Sequence, residues 1–404
     1  MTEKRKSPAL RFRGYTDDWE QRKLGELVEF YNGDRSSRYP NDSDMVSEGV
    51  PFINAGDLVS GRVKLDTANK ITEEKFNELS GAKIQRGDII YCLRGTLGKN
   101  AFVDNFDVGT VASSLVDIRP KKVVGKYLYQ VLNSDIEYTQ RTVNDEGAAQ
   151  PNLSAKNLSL FNIPMPDEVE QEKIAAYFDD LDRLITLHQR KLEKLKLVKK
   201  SMLEKMFPKN GSSVPEIRFK GFTDDWEQRK LGDVFEEYSE KDHAELPALT
   251  IIQGGGTIRR DESDRTLQYD KRSLSNYKKV DTGDFIVHLR SFEGGLEKAT
   301  NTGIVSPAYH IFHGENVDSR FYYSYFRSKK FINTDLKPHV YGIRDGRSID
   351  IEGMKTIEIP WTILDEQKAI GNCIDTLDNL ITLHQRKVEK LQIMKKSMLE
   401  KMFV

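Results

Sequence analysis

Apolar residues recur every three or four positions along two long stretches of the chain, and this spacing predicts two long amphipathic helices. The first stripe follows Glu170 and comprises Ile174, Phe178, Leu181, Ile185, Leu192, Leu195, Val198, Met202 and Met206, with His188 at the remaining seam position. The second comprises Ile370, Ile374, Leu377, Ile381, His384, Val388, Leu391, Met394, Met398 and Met402. Because a lone helix would leave such a stripe exposed, we predict that the two helices pair as an antiparallel coiled coil.

Outside these helices, short apolar runs alternate with turn residues, a pattern typical of strands in an α+β domain. The first such region has runs at Gly49–Ile53, Gly87–Tyr91 and Thr110–Ala112 and a helical segment at Lys126–Asn133. The second has runs at Ala248–Ile252, Asp284–Leu289 and Gly303–Val305 and an aromatic helix at Phe321–Phe326. We therefore predict two globular α+β domains of related design.

Two long internal repeats organise the chain. Arg11–Leu27 recurs as Arg218–Val234 with 13 of 17 positions identical and an offset of 207. Leu181–Phe207 recurs as Leu377–Phe403 with 22 of 27 positions identical and an offset of 196. The residues between these matched ends agree only faintly, so each half is a nearly identical frame around a different insert.

Near-identical frames around different inserts indicate one shared docking task and two different recognition tasks. Duplication without such a division would have spread the differences evenly along the two halves. The predicted organisation is a first domain at 1–166, a central helix at 167–210, a second domain at 211–362 and a C-terminal helix at 363–404. This arrangement predicts two pseudo-symmetric globular domains separated by an antiparallel pair of long coiled-coil helices.

Composition and charge argue against a membrane-spanning or secreted protein, but they do not decide whether the chain binds nucleic acid. Sixty-two Lys and Arg oppose 63 Asp and Glu, and the formal net charge of −1 argues against a dedicated nucleic-acid binder. Charge is segregated, however, because residues 181–207 carry eight basic and three acidic side chains. The chain has no run of about 18 apolar residues, no secretory h-region and only two cysteines, Cys92 and Cys373, so we expect a soluble cytoplasmic protein.

A loop that follows the predicted strand at Ile89 could contact DNA. It contains Arg94, Gly95, Thr96 and Lys99, which combine accessible backbone amides with two cations, and its counterpart in the second half contains Arg290 and Ser291. A nucleotide-binding P-loop would need Gly where Leu93 stands and Ser or Thr where Asn100 stands. A DNA contact and an ordinary surface turn both remain open.

A second pair of loops offers side chains suited to reading bases. Tyr341, Arg344 and Arg347 lie in one loop, and arginine is the commonest bidentate partner of guanine. Gln150 and Asn152 lie in the equivalent stretch of the first half, where an amide would suit adenine. Plain surface loops are the alternative for both stretches.

Several other side chains are better explained by structure than by chemistry. Trp19 and Trp226 lie in the repeated frames and are expected to anchor the domain cores. His310 and His313 have no recognisable third ligand, so no metal site is predicted. The chain lacks the Pro-Pro-aromatic motif and the Gly-rich loop of an adenine methyltransferase, and it lacks a P-loop, so no catalytic residue is predicted.

The frames resemble those of a known family, the specificity subunits of type I restriction-modification systems. The resemblance rests on Asn162–Pro166 followed by Glu170–Ile174, on Ile359–Pro360 followed by Glu366–Ile370, on the Asp17–Glu26 frame with its copy from Asp224, and on Gly87–Ile90. One departure is Trp361–Thr362, where the family often continues with proline and leucine, which leaves the start of the second helix undefined.

The resemblance implies two target recognition domains that each read half of a split, asymmetric double-stranded DNA site. It implies helices that set the spacer and dock two modification subunits, and restriction subunits that join through them. S-adenosylmethionine, ATP and Mg would then belong to those partners and not to this chain. The alternative is a non-catalytic coiled-coil scaffold or adaptor that binds only proteins.

Overall fold

The computed structural model describes residues 7–144, 152–209, 211–262, 271–287, 296–341 and 348–403, with backbone alone at 271–273. The chain divides into two compact units. Unit 1 comprises residues 1–189 and 386–404, and unit 2 comprises residues 190–385. Each unit therefore combines one globular domain with segments of both long helices.

The central sheet of unit 1 has four antiparallel strands in the order β2-β11-β8-β9. A second sheet has the order β10-β4-β7-β3, and β1 pairs with β12. The strands are β1 Glu20–Lys23, β2 Val28–Asn32, β3 Met45–Val46, β4 Val50–Ile53, β5 Leu58–Val59, β6 Arg62–Val63, β7 Asn69–Ile71, β8 Ile89–Cys92, β9 Asn100–Phe102, β10 Thr110–Val111, β11 Leu115–Pro120 and β12 Asn162–Met165. The helices are α1 Leu24–Leu27, α2 Glu73–Glu78, α3 Gly125–Val131, α4 Asp135–Val143, α5 Ala155–Ser159 and α6 Glu168–Lys205.

Unit 2 repeats the central sheet in the order β14-β21-β18-β19, and β13 pairs with β24 as β1 pairs with β12. Its strands are β13 Glu227–Lys230, β14 Glu236–Tyr238, β15 Leu249–Ile252, β16 Gly256–Arg259, β17 Lys278–Val280, β18 Phe285–Val287, β19 Glu297–Lys298, β20 Gly303–Val305, β21 His310–His313, β22 Val340–Tyr341, β23 Ser348–Ile349 and β24 Glu358–Trp361. Its helices are α7 Leu231–Val234, α8 Ser319–Phe326, α9 Ile351–Lys355 and α10 Leu364–Met402.

The two predicted long helices are present as α6 and α10. In unit 1, Phe178 of α6 stacks on Phe403 just beyond α10, and Asp182 of α6 pairs with Lys395 of α10 at 2.7 Å. The residue number rises along α6 while it falls along α10, so these helix segments are antiparallel. In unit 2, Lys199 pairs with Asp378 at 2.5 Å, the equivalent contact with the roles of the two helices exchanged.

The repeated frames form a buried clasp at the start of each long helix. Glu170 is fully buried and accepts hydrogen bonds from Arg11 Nε at 2.7 Å and Trp19 Nε1 at 3.1 Å. The next residue, Gln171, donates to the Pro166 carbonyl and accepts from the Val124 amide. The Glu-Gln signature therefore ties the N-terminal frame and helix α3 to the helix that follows.

Unit 2 builds the same clasp with Glu366, Gln367, Arg218 and Trp226. Thr362 stands at the position of the sequence departure. It is buried, its Oγ1 donates to Glu366 Oε2 at 2.5 Å, and its carbonyl accepts from Gln367 Nε2 at 2.7 Å. The departure therefore fits the start of α10, which begins at Leu364.

Aromatic side chains complete both cores. Phe403 lies among Trp19, Tyr127 and Phe178 in unit 1, with ring centroids 5.8 to 6.5 Å away. Phe207 contacts Trp226 and the aromatic helix of unit 2, which is buried at Phe321, Tyr322, Tyr325 and Phe326. The predictions that both tryptophans and the aromatic helix belong to the core are confirmed.

Candidate nucleic-acid interface

Three loops meet at one end of the central sheet of unit 1. Strand β11 is antiparallel to both β2 and β8, so the last residues of β2 and β8, Asn32 and Cys92, lie beside its first residues, Leu115 and Val116. The loops that leave or enter the sheet at this end are Gly33–Arg38, Leu93–Lys99 and Ala112–Ser114. Together with Asn152, we call them the sheet-end surface.

Hydrogen bonds hold these loops against one another. The Gly33 amide donates to the Leu115 carbonyl at 3.3 Å, and the Leu93 amide donates to the Ser114 carbonyl at 2.9 Å. A guanidinium nitrogen of Arg35 donates to the Ser113 carbonyl at 3.2 Å. Arg35 and Leu93 therefore contact neighbouring residues of one loop, which makes the three loops a single surface.

Two predicted contact residues from distant parts of the sequence meet on this surface. Arg94 and Asn152 form an antiparallel β-bridge, and Arg94 Nε donates to Asn152 Oδ1 at 3.1 Å. The Arg94 side chain is exposed. The bridge orients a cation that sequence analysis could only place on a loop.

The other predicted members of the Leu93–Lys99 loop differ in how they are held. Gly95 has a φ of +78°, a left-handed conformation that favours glycine, and nothing lies within 4 Å of where a side chain would begin. Thr96 is exposed, with its hydroxyl 3.6 Å from the Cys92 thiol. Lys99 is half-buried, and its Nζ donates to the Ala55 carbonyl at 2.6 Å. Arg94 is thus the more available of the two predicted cations.

Charge is distributed unevenly among the arginines of unit 1. Most form ion pairs with carboxylates, namely Arg11, Arg22, Arg62, Arg86, Arg119, Arg141 and Arg183. On the sheet-end surface, Arg35, Arg38 and Arg94 form no ion pair with any residue that the structure describes. Three arginines without an ion pair to a described residue therefore lie on this surface, with the buried Asp34 carboxylate as the nearest acidic group in their loops, although the whole chain is nearly neutral.

Arg35 and Arg38 were not among the residues predicted to contact DNA. The sequence feature that could have indicated them is the segment Gly33-Asp34-Arg35-Ser36-Ser37-Arg38, which places turn residues and two arginines directly after strand β2. Bulk charge concealed it, because acidic side chains elsewhere cancel these cations in the total.

The corresponding end of the unit 2 sheet is described only in part. Of the residues predicted to contact DNA, Arg290, Ser291, Arg344 and Arg347 of unit 2 lie outside the described residues, as does Gln150 of unit 1. Tyr341 is described: it is 56% exposed and pairs with Ser348 where β22 and β23 run antiparallel. By the offset of 196, Ser348 corresponds to Asn152, so Tyr341 flanks the equivalent of the Asn152 segment.

In unit 2, the loop after β14 neutralises its own charge. His243 contacts Glu240 at 2.6 Å and Glu245 at 3.1 Å, and the hydrogen bonds that its ring donates to the carboxylates of Glu245 and Glu240 raise the pKa of the imidazole. Lys279 pairs with Glu240 at 3.7 Å and Asp281 at 3.1 Å. The two units therefore offer different electrostatic surfaces on sheets of the same order.

A buried charge cluster supports the unit 1 sheet. Arg119 contacts Asp88 at 2.8 Å and Asp117 at 3.5 Å, and both carboxylates are buried. Burial, with the nearby charge of Asp88, raises the pKa of the Asp117 carboxyl to about 8. In unit 2, the strand register places His313 at the position equivalent to Arg119, and its Nδ1 lies 2.7 Å from Asp284 Oδ1.

The structure offers no sign of a metal centre or a membrane segment in the parts of the chain that it describes. No three His, Cys, Asp or Glu side chains converge there to hold an ion. His310 and His313 contact Glu237 and Asp284 separately. Within the same parts of the chain, no helix is long and apolar enough to cross a bilayer.

Comparison with known proteins gives two matches of one family to this chain. The profile described as "Type I restriction modification DNA specificity domain" matches residues 16–197 and 223–392. The type I restriction enzyme MjaVIII specificity subunit of Methanocaldococcus jannaschii is 24% identical, over 95% of this chain and 91% of that protein. The putative type I restriction enzyme MjaX specificity subunit of the same organism is 23% identical, over 95% and 92%.

A solved structure shares the fold. The crystal structure of a type I restriction-modification S subunit from M. genitalium matches with a TM-score of 0.64 at 14% sequence identity, over 98% of this chain and 99% of that chain. This likeness confirms the predicted α+β fold with two repeated domains.

Proposed function

This chain belongs to the type I restriction modification DNA specificity family, and we propose that each of its two units reads one half of a split, asymmetric DNA site. The observation that carries the proposal is the contrast between the repeated frames and their inserts. The clasps at Glu170 and Glu366 are nearly identical, whereas the loops at the two sheet ends differ in sequence and charge. The two units would therefore share one mode of attachment to the long helices and would differ in the DNA sequence that each recognises.

The sheet-end surface supplies the chemistry for unit 1. Its exposed arginines, which form no ion pair with a described residue, can attract phosphates, and a guanidinium can donate two hydrogen bonds to guanine. Arg94, held by Asn152, is the proposed base-reading residue, and Gln150 remains a proposed neighbour. In unit 2, we propose the same role for Arg290, Ser291, Tyr341, Arg344 and Arg347.

The chemical steps are proposed to lie in partner subunits. Two modification subunits would dock on the helices, bind S-adenosylmethionine and methylate adenine at N6 after each target base is flipped out of the duplex. Restriction subunits would join through them and use ATP and Mg. The assembly would act in the cytoplasm, where it meets double-stranded DNA, while this chain contributes selection alone.

The rival function is a scaffold that binds only proteins. The arginines of the sheet-end surface, which form no ion pair with a described residue, favour DNA, because exposed cations gathered on one surface suit phosphate contacts. The discriminating experiment is competition binding of the full chain, purified with its modification subunits, to duplexes that contain or lack its site. We expect at least a thousandfold preference, in line with the range of about 10³ to 10⁷ for specific binders. Equal binding to both duplexes would favour the scaffold.

A further inference from the structure

The Gly33–Arg38 loop is built more firmly than a solvent-exposed connection requires. The Asp34 carboxylate is buried at its centre and accepts hydrogen bonds from the Ser36 amide at 2.6 Å, the Ser80 amide at 2.8 Å and the Ser80 hydroxyl at 3.1 Å. Burial alone would raise the pKa of Asp34, but these hydrogen bonds outweigh it and lower that pKa below its ordinary value. The ionised Asp34 carboxylate therefore holds the loop in place, and its oxygens already accept hydrogen bonds from Ser36 and Ser80.

The backbone around Asp34 is packed without room for larger residues. A side chain at Gly33 would collide with the Ala112 carbonyl oxygen, and one at Gly81 would collide with the Asp34 amide nitrogen. The loop thus has a fixed position between the Ser80–Gly81 segment and the Ala112–Ser114 loop. A fixed loop holds its side chains ready for a ligand at a smaller entropic cost.

The loop presents two arginines from this fixed backbone. Arg35 is anchored through one hydrogen bond to the Ser113 carbonyl and Arg38 through one of 3.2 Å to the Glu78 carbonyl. A guanidinium carries five N–H donors, so each arginine keeps donors for a ligand. Arg35 also lines a cleft of about 440 Å³, together with Tyr31 and Asn32.

We propose that Gly33–Arg38 is a phosphate-binding loop, in which Arg35 and Arg38 contact backbone phosphates of the DNA half-site and Asp34 is their positioning residue. This inference rests on the proposed function of unit 1 and adds a contact that fixes the register of the duplex without reading its sequence. Arg94 then reads a base from the neighbouring loop, so one surface divides positioning from reading.

Phosphate contacts have a signature that base contacts lack. Affinity falls as salt rises, and each phosphate neutralised on duplex DNA contributes about −0.9 to the slope of log affinity against log salt; its loss weakens binding to all sequences alike. The test compares the full chain, purified with its modification subunits, as wild type, Arg35→Ala/Arg38→Ala, Asp34→Asn and Arg13→Ala. Arg13 is the matched control, because it is an exposed arginine of unit 1 outside the sheet-end surface and without an ion pair to a described residue.

Binding is measured by fluorescence anisotropy over a salt series, and the methylated motif is mapped for each variant. We expect the double variant to reduce the magnitude of the slope by about 1.8 with the motif unchanged, and Arg13→Ala to leave the slope at the wild-type value. Asp34→Asn should also reduce the magnitude of the slope, although both arginines remain. If Asp34 only stabilised the fold and did not position phosphate-binding arginines, the slope would stay at the wild-type value.

A wild-type slope in the double variant would overturn the proposal, and so would a motif relaxed at one base, since that would mark base reading. If Asp34→Asn fails to fold, the double arginine variant still decides the assignment. A wild-type protein with no preference for its site would instead contradict the proposed function, which separates the two failures.

Discussion

The indole Nε1 of Trp19 donates a hydrogen bond of 3.1 Å to Oε2 of Glu170, which lies 151 residues further along the chain. The repeat copies this relationship, because Trp226 Nε1 lies 3.0 Å from Oε2 of Glu366. A hydrogen bond between the repeated Arg11–Leu27 segment and the Glu-Gln signature thus joins the two ends of each domain insert. Variation between these ends can change the reading surface while the frame stays the same.

The clasp predicts a large and local effect of removing its carboxylate. Glu170→Ala leaves the Arg11 guanidinium and the Trp19 indole without their acceptor, and loss of one partner of a buried ion pair costs about 3 to 5 kcal/mol. We expect hydrogen exchange to speed up in β1 and β12 of unit 1, with Glu366→Ala acting on β13 and β24. Glu172→Ala, an exposed neighbour, is the control, and equal effects on both units would contradict the account.

Phe403 predicts that the end of α10 stabilises unit 1. Its ring is 93% buried among Trp19, Tyr127 and Phe178, and a buried Phe→Ala change costs about 3 to 5 kcal/mol. Urea unfolding of Phe403→Ala should show this loss. The matched control is Ile393→Ala on the same helix, since Ile393 is 70% exposed. Equal loss in both variants would contradict the assignment.

Asp117 predicts a pH dependence of stability. Its pKa is about 8 in the folded chain and near 3.9 when unfolded, so between these values the folded state binds more protons and loses stability as the pH rises. Asp117→Asn cannot ionise. We expect its melting temperature, relative to wild type, to rise from pH 5 to pH 8, whereas exposed Asp66→Asn should track wild type. A constant difference would argue against the shifted carboxyl.

Arg94 predicts a change in sequence reading confined to one half-site. Arg94→Ala removes the proposed bidentate contact, which is worth about 1 to 3 kcal/mol of discrimination. In competition binding, preference should relax at one base pair of the half read by unit 1. Arg22→Ala is the control, because Arg22 is paired with Glu26 away from the surface. Relaxation in both halves, or in neither, would refute the role of Arg94.

The sequence predicted those features that have a period or a repeat. Helices α6 and α10 follow from their apolar stripes, and the strand and helix elements around Ile89, Leu249 and Phe321 follow from short apolar runs bounded by turns. Buried Trp19 and Trp226 also follow, since large aromatics in a repeated frame belong to a core. Each of these features can be recognised from a short segment of sequence or from its repeated copy.

The features that sequence analysis missed depend on contacts between distant residues. Nothing near Glu170 indicates that its partner is Arg11, and nothing near Arg94 indicates that Asn152 lies beside it. Arg35 was not predicted because it is distinguished only by having no ion pair with a described carboxylate. That property becomes visible only in the folded chain. Base-reading residues are harder still, since their partners are on the DNA.

The most direct test of the central claim is to map N6-methyladenine across a genome in cells that express this chain with its modification subunit, before and after residues 28–155 are exchanged for the insert of a relative. The account predicts one split motif, with one half replaced by the exchange and the other half unchanged. A motif unaffected by the exchange, or no motif at all, would contradict it.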